Sequence, residues 1–216
     1  MFIGSLCGIA AGLSRRAESP EGDFNQGKHE GHESPLTGKA LVGECCGVPG
    51  KLGMLQDDAY QFLRLGTFIE RADNTARILD VKYHLLLPKE EEVGGGVDYY
   101  EWSSILRSVS AFQAYQKIFN DTIKPWNVAG LLVLRKDMPR SLHACFFEIS
   151  RILDSVTRDR HMECKRMAGE IHSTLMYGRM DHIFQNGLHE FLTDFINRNH
   201  ELGGEIQNTY LNVHAA

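Results

Sequence analysis

No run in the 216 residues approaches the roughly 18 to 20 consecutive apolar positions that a membrane-spanning helix requires, and mean hydropathy is −0.27. No membrane span is therefore expected. Basic excess is also missing: 23 Lys and Arg face 28 Asp and Glu, a net charge of −5, which speaks against a protein that tracks nucleic-acid phosphates. The chain has no G-x-G-x-x-G and no G-x-x-x-x-G-K-[ST], so nucleotide binding by this chain alone is not expected, and no cofactor is either. A G-x-S-x-G elbow is absent, which argues against a self-contained hydrolase. The five cysteines, Cys7, Cys45, Cys46, Cys145 and Cys164, are odd in number and lack framework spacing, so reduced thiols in a cytoplasmic protein are expected. The apolar stretch Phe2 to Leu13 has no preceding positive charge and is followed by Arg15 and Arg16, the wrong polarity for a secretory signal.

Aromatic residues are scarce at one end only. Of the 20 in the chain, just Phe2 and Phe24 fall in residues 1–53, which also hold 11 of the 21 glycines. Such a segment buries too little apolar area to offset its chain entropy and reads as low-complexity and disordered or irregular. Part of it is also readable as a remnant of a longer gene product. From residue 54 to 216 the texture is that of one globular domain.

There the only prolines are Pro88, Pro125 and Pro139, each at the edge of an apolar periodic run, and no period-2 alternation occurs. The expected fold is all-α, a bundle of about five to six helices over 57–87, 98–122, 126–134, 139–157, 159–178 and 181–212. Trp102, Ile105, Leu106, Val109 and Phe112 form one stripe, and Leu142, Cys145, Phe146, Ile149, Ile152, Leu153 and Val156 another. The run Lys89 to Gly96, charged and then glycine-rich, reads as a solvated loop.

Helix 57–87 is unusual in carrying two apolar sets. Phe62, Leu65, Ile69, Ala72, Ala76, Leu79, Tyr83 and Leu86 share one face, whereas Tyr60, Leu63, Ile78 and Leu85 fall roughly opposite. A helix of this kind belongs at the centre of a bundle. Beside the second set stand Glu70, Arg71, Asn74 and Arg77, with Glu70, Asn74 and Arg77 on one face. Half-buried charges require partners, so the leading expectation pairs Glu70 with Arg77 or with an arginine of a neighbouring helix. The alternative is a carboxylate and arginine pair that touches a ligand.

The stretch from Asp57-Asp58 through Glu70-Arg71, Asn74, Arg77 and Asp80 resembles the alpha-E family, bacterial helical proteins with a Glu-Arg motif. The likeness continues through Tyr99, Trp102 and Tyr115 to the apolar run from Leu131 that ends in Pro139-Arg140-Ser141. Family members are usually longer, with two related halves, and this chain resembles the C-terminal half alone. The resemblance implies an exposed helix face, hence association with itself or with another chain. It further implies an accessory or scaffold subunit beside an ATP-grasp-type ligase or a transglutaminase-like protein, in systems that make or modify peptides. The motif positions carried over are Glu70, Arg71, Asn74 and Arg77, with Arg140 added; no catalytic residue is implied.

Arg140 follows Pro139, read here as the first turn of a helix capped by Asp137 or Met138. With Arg135, Lys136 and Ser141 it forms a candidate anion site, weighed against solvated charges or a salt bridge to Glu70 or Asp73. The ten histidines make only loose clusters: His29 with His32, His143 with Cys145, His161 with Cys164, and Asp181-His182 with His189-Glu190. None follows H-E-x-x-H or a paired C-x-x-C, so no metal is expected. The leading functional expectation is a non-enzymatic subunit. Its rival is an enzyme of the same pathway in which Glu70 acts as a general base in a cleft and Arg71 or Arg140 orients an anionic, peptide-like substrate.

Overall fold

The residues recurring at three and four are those the fold buries. Phe62, Leu65, Ile69, Ala72, Ala76 and Leu79 are all buried, as are Leu142, Cys145, Phe146, Ile149, Ile152 and Leu153. Their companions Val156, Ile105 and Phe112 pack half-buried against the same core. The computed structural model describes residues 57–85, 96–156 and 162–211. The segment 1–53, the loop 89–95, Leu86 and His161 lie outside the described residues, as do the side chains of Tyr83 and Leu85.

Eight helices and no strand occur among the described residues. They are α1 (Asp58–Leu85), α2 (Gly96–Ser108), α3 (Phe112–Phe119), α4 (Pro125–Val133), α5 (Leu142–Val156), α6 (Glu163–Met176), α7 (Met180–Asn186) and α8 (Leu188–Leu211). The fold is all-α, as the sequence indicates, with more helices than the expected five or six because two long periodic runs are broken by backbone geometry.

The run read as 98–122 stops at Ser110, which adopts a left-handed φ of 55°. The Ala111 N–H donates to the Leu106 carbonyl at 2.7 Å and the Ser110 N–H to that of Arg107 at 3.0 Å, the two bonds of a Schellman stop. This position normally takes glycine, so a serine there gives no warning in the sequence. Gly187, with φ of 95°, divides α7 from α8. A Cβ at this position would collide with the Glu190 carboxylate.

Asp57 caps α1: its Oδ1 accepts from the Tyr60 N–H at 3.0 Å. Pro125 occupies the first turn of α4, where its missing N–H costs nothing. Pro139 does not do the same for α5. That helix starts at Leu142, and its cap is Ser141, whose Oγ accepts from the Ala144 N–H at 3.0 Å. The expected cap at Asp137 or Met138 is corrected accordingly, and Arg140 lies before the helix rather than in its first turn.

α1, α5, α6 and α8 form a four-helix ring in which α1 packs on α5 and α8, and α6 closes the far side against the same two helices. α2, α3 and α4 form a smaller cluster attached through α4 to α1 and α5, and through α2 to α1 by the Lys82–Glu101 ion pair. α1 is therefore central, with two long neighbours. Its second apolar set is less enclosed than its first, since Tyr60, Leu63 and Ile78 are only half-buried. No helix among the described residues is long and apolar enough to cross a membrane.

Candidate functional site

The row Arg64, Phe68, Arg71 and Thr75 advances along α1 at spacings of four, three and four, which keeps it on one side of the helix. That side meets α5, which runs in the opposite direction. At the lower end Arg64 Nη2 donates to Glu148 Oε2 at 2.8 Å, an ion pair with both side chains about three-quarters covered. Glu148 also accepts from Arg151 at 2.7 Å. In the middle, the guanidinium groups of Arg64 and Arg71 lie over the Phe68 ring, 5.5 and 5.2 Å from its centroid.

At the upper end Thr75 is 2% exposed, and its hydroxyl lies 2.9 Å from the Arg71 carbonyl and 3.0 Å from the Arg140 carbonyl. A hydroxyl carries one proton, so the two contacts are a shared donation that latches the turn before α5 onto α1. Close by lies Cys145, whose thiol is pushed up to about 12 by burial, against the opposing fields of Arg71 and Arg140. It stays neutral and offers neither arginine a counter-charge. The Sγ is 3.9 Å from the Pro139 carbonyl.

Arg71 and Arg140 are half-buried, and among the described residues neither makes an ion pair or a side-chain hydrogen bond. Glu70 is also half-buried and has no such partner. The expected pairing of Glu70 with Arg77 or with an arginine of a neighbouring helix does not occur. The physical reason is competition. Asp73, four residues before Arg77 on the same face, takes its guanidinium at 2.7 Å and holds it more firmly protonated. Arg64 engages the carboxylate that α5 supplies.

Arg77 continues toward α8, with Nη2 at 3.1 Å from His200 Nε2, which is itself 3.2 Å from Asp73 Oδ1. Asp73 Oδ1 makes no hydrogen bond, so we read the ring nitrogen as the acceptor from Arg77. The four motif positions therefore divide: Asn74 is exposed, Arg77 joins Asp73 and His200, and Glu70 and Arg71 are unpaired among the described residues.

The candidate anion site of Arg135, Lys136, Arg140 and Ser141 is not assembled as the sequence suggests. Arg135 is engaged by Asp137, with Nε to Oδ1 at 2.5 Å. Ser141 is fully buried; its hydroxyl donates to the Arg135 carbonyl at 2.5 Å besides capping α5, so it has nothing left for a ligand. Lys136 is exposed. Of this group Arg140 alone is half-buried and, among the described residues, unpaired; its carbonyl shares the Thr75 hydroxyl with that of Arg71, and both cations act on Cys145. Thr75 and Arg64 went unremarked in the sequence; the signal available was a hydroxyl and a cation falling on the buried side of α1.

Cavities among the described residues lie elsewhere. One of about 440 Å³ between α1 and α2 is lined by Arg77, Ile78, Val81, Lys82, Glu101, Ser104 and Ile105. On its wall the buried Lys82 ammonium is paired with Glu101 and lies 5.2 Å from the Trp102 ring. Another, of about 20 Å³, lies between α6 and α8. Neither is lined by Glu70, Arg71 or Arg140. Among the described residues no three His, Cys, Asp or Glu side chains converge as a metal site. His143 and His172 approach with ring centroids 5.6 Å apart, but the His143 Nδ1 lies 3.0 Å from the Leu134 carbonyl. Burial and His143 together hold His172 below its usual range, which favours the neutral ring.

Neither a curated protein nor a solved structure matches the chain. A family model does, over residues 49–211, and its description is a predicted alpha-helical domain with a conserved ER motif. The all-helical ring built around α1, with Glu70-Arg71 at its middle, agrees with that description. On this match the chain belongs to the Alpha-E family.

Proposed function

We propose that the chain is a cytoplasmic accessory subunit that presents or positions a partner in a peptide-ligating or peptide-modifying system, beside an ATP-grasp-type ligase or a transglutaminase-like protein. One observation carries this reading. The charges of the family motif that remain open, Glu70 and Arg71, are half-buried like Arg140, and among the described residues no side chain pairs with any of the three. Charges left open on a surface between two clamped helices suit complementary groups of another molecule more than chemistry in a cleft, which needs enclosure from water. A phosphate-cradling loop is missing from the sequence, so in this reading the ATP chemistry belongs to the partner.

The test is affinity purification of the tagged chain from its host, as wild type and as the Glu70→Ala/Arg71→Ala variant, with mass spectrometry of what co-elutes. The expected outcome is an ATP-grasp or transglutaminase-like protein recovered with wild type and lost with a variant whose helical circular dichroism and melt are unchanged. Recovery of the chain alone from wild type overturns the reading.

A further inference from the structure

Arg64 and Arg71 pose the same electrostatic problem, and α5 answers only one of them. Each guanidinium lies over Phe68 with one face covered, which leaves the in-plane N–H groups as donors. Opposite Arg64, α5 places the Glu148 carboxylate at 2.8 Å. Near Arg71, one turn closer to the start of α5, it places the buried, neutral Cys145 thiol instead. The turn before α5 then brings in a second cation, Arg140, whose backbone is tied to that of Arg71 through the single hydroxyl of Thr75. Both cations act on the Cys145 thiol, and among the described residues neither is paired with a carboxylate, an arrangement that favours an incoming anion.

We propose that Arg71 and Arg140 form a clamp for a carboxylate supplied by another molecule, the free C-terminal carboxylate of a peptide. Two guanidinium groups on separate elements supply more N–H donors than one oxyanion accepts, and their planar forks fit a carboxylate in bidentate fashion. The same donors fit a phosphate. The planar two-oxygen match is the ground for choosing the carboxylate, and the titration includes both anions. The inference deepens the reading above and relies on it for the source of the peptide, but the clamp is measured on the isolated chain and does not depend on any partner being recovered.

The experiment titrates the full-length protein at low ionic strength with three probes: acetyl-Ala-Ala with a free carboxylate, the same peptide as its amide, and inorganic phosphate. Binding is followed through the arginine Nε–Hε resonances in NMR. Saturable shifts of two arginine signals are expected with the carboxylate peptide, none with the amide, and weaker shifts with phosphate. Arg71→Lys and Arg140→Lys keep the charge and lose the fork, and each is expected to weaken the carboxylate peptide at least tenfold with an unchanged melting temperature. Arg166→Lys, in a remote exposed ion pair with Glu163, is expected to bind as wild type does. Equal binding of amide and acid, binding of phosphate alone, or unaltered affinity in both clamp variants overturns the proposal. A clamp that binds the peptide while no ligase or transglutaminase-like partner is recovered leaves the site standing and removes the accessory role; the converse result removes the site alone.

Discussion

Arg64 and Arg71 sit two turns apart on the same side of α1 and share Phe68, yet one ends in a closed ion pair and the other in the open. Near Arg64, α5 contributes Glu148; near Arg71 it contributes Cys145, and the preceding turn adds Arg140. The closed end fixes how α5 lies on α1. The open end has been fixed by a hydroxyl latch instead, which frees both guanidinium groups from structural duty. An arginine in an ion pair and one without it thus do different work on one interface, and the difference is set by the facing helix.

The largest expected effect comes from breaking the latch. Thr75→Val keeps the shape and removes the hydroxyl, leaving the Arg140 carbonyl without its partner, and is expected to cost about 1 to 2 kcal/mol in urea unfolding. Because it lets the two arginines separate, it should also weaken the carboxylate probe, which a purely structural role would leave alone. Next, Glu148→Ala opens the closed end. With each side chain about a quarter exposed, the expected loss is about 1 kcal/mol, decreasing as salt is raised. A melt unchanged between low and high salt would remove the ion pair from the account. The smallest effect is expected from Glu70→Gln, within about 0.5 kcal/mol of wild type, since no partner is lost. A loss of several kcal/mol would reinstate the buried Glu70 network that the sequence suggests.

Much of the helical framework was legible in advance. The stripe Phe62 to Leu79 and the stripe Leu142 to Leu153 are buried as their spacing requires, because burial follows from which residues share a helical face. The breaks were not. Ser110 takes a left-handed conformation that glycine usually marks, and Ser141 rather than a residue before Pro139 caps α5, since capping depends on which hydroxyl reaches an open N–H. The site was half legible. The motif named Glu70, Arg71, Asn74, Arg77 and Arg140, but the partner it suggested for Arg77 was the wrong carboxylate: Asp73 outcompetes Glu70 by i, i+4 geometry, and His200 arrives from α8, 123 residues away.

By itself the sequence determined the all-helical fold, the central place of α1 and the residues of its motif, all of which depend on periodicity and local spacing along one chain. Which charges would be satisfied was decided only in three dimensions. Ion pairing depends on what the facing element presents within about 4 Å, and that the neighbours of Arg71 would be a thiol and a second arginine follows from how α5 and its preceding turn lie against α1.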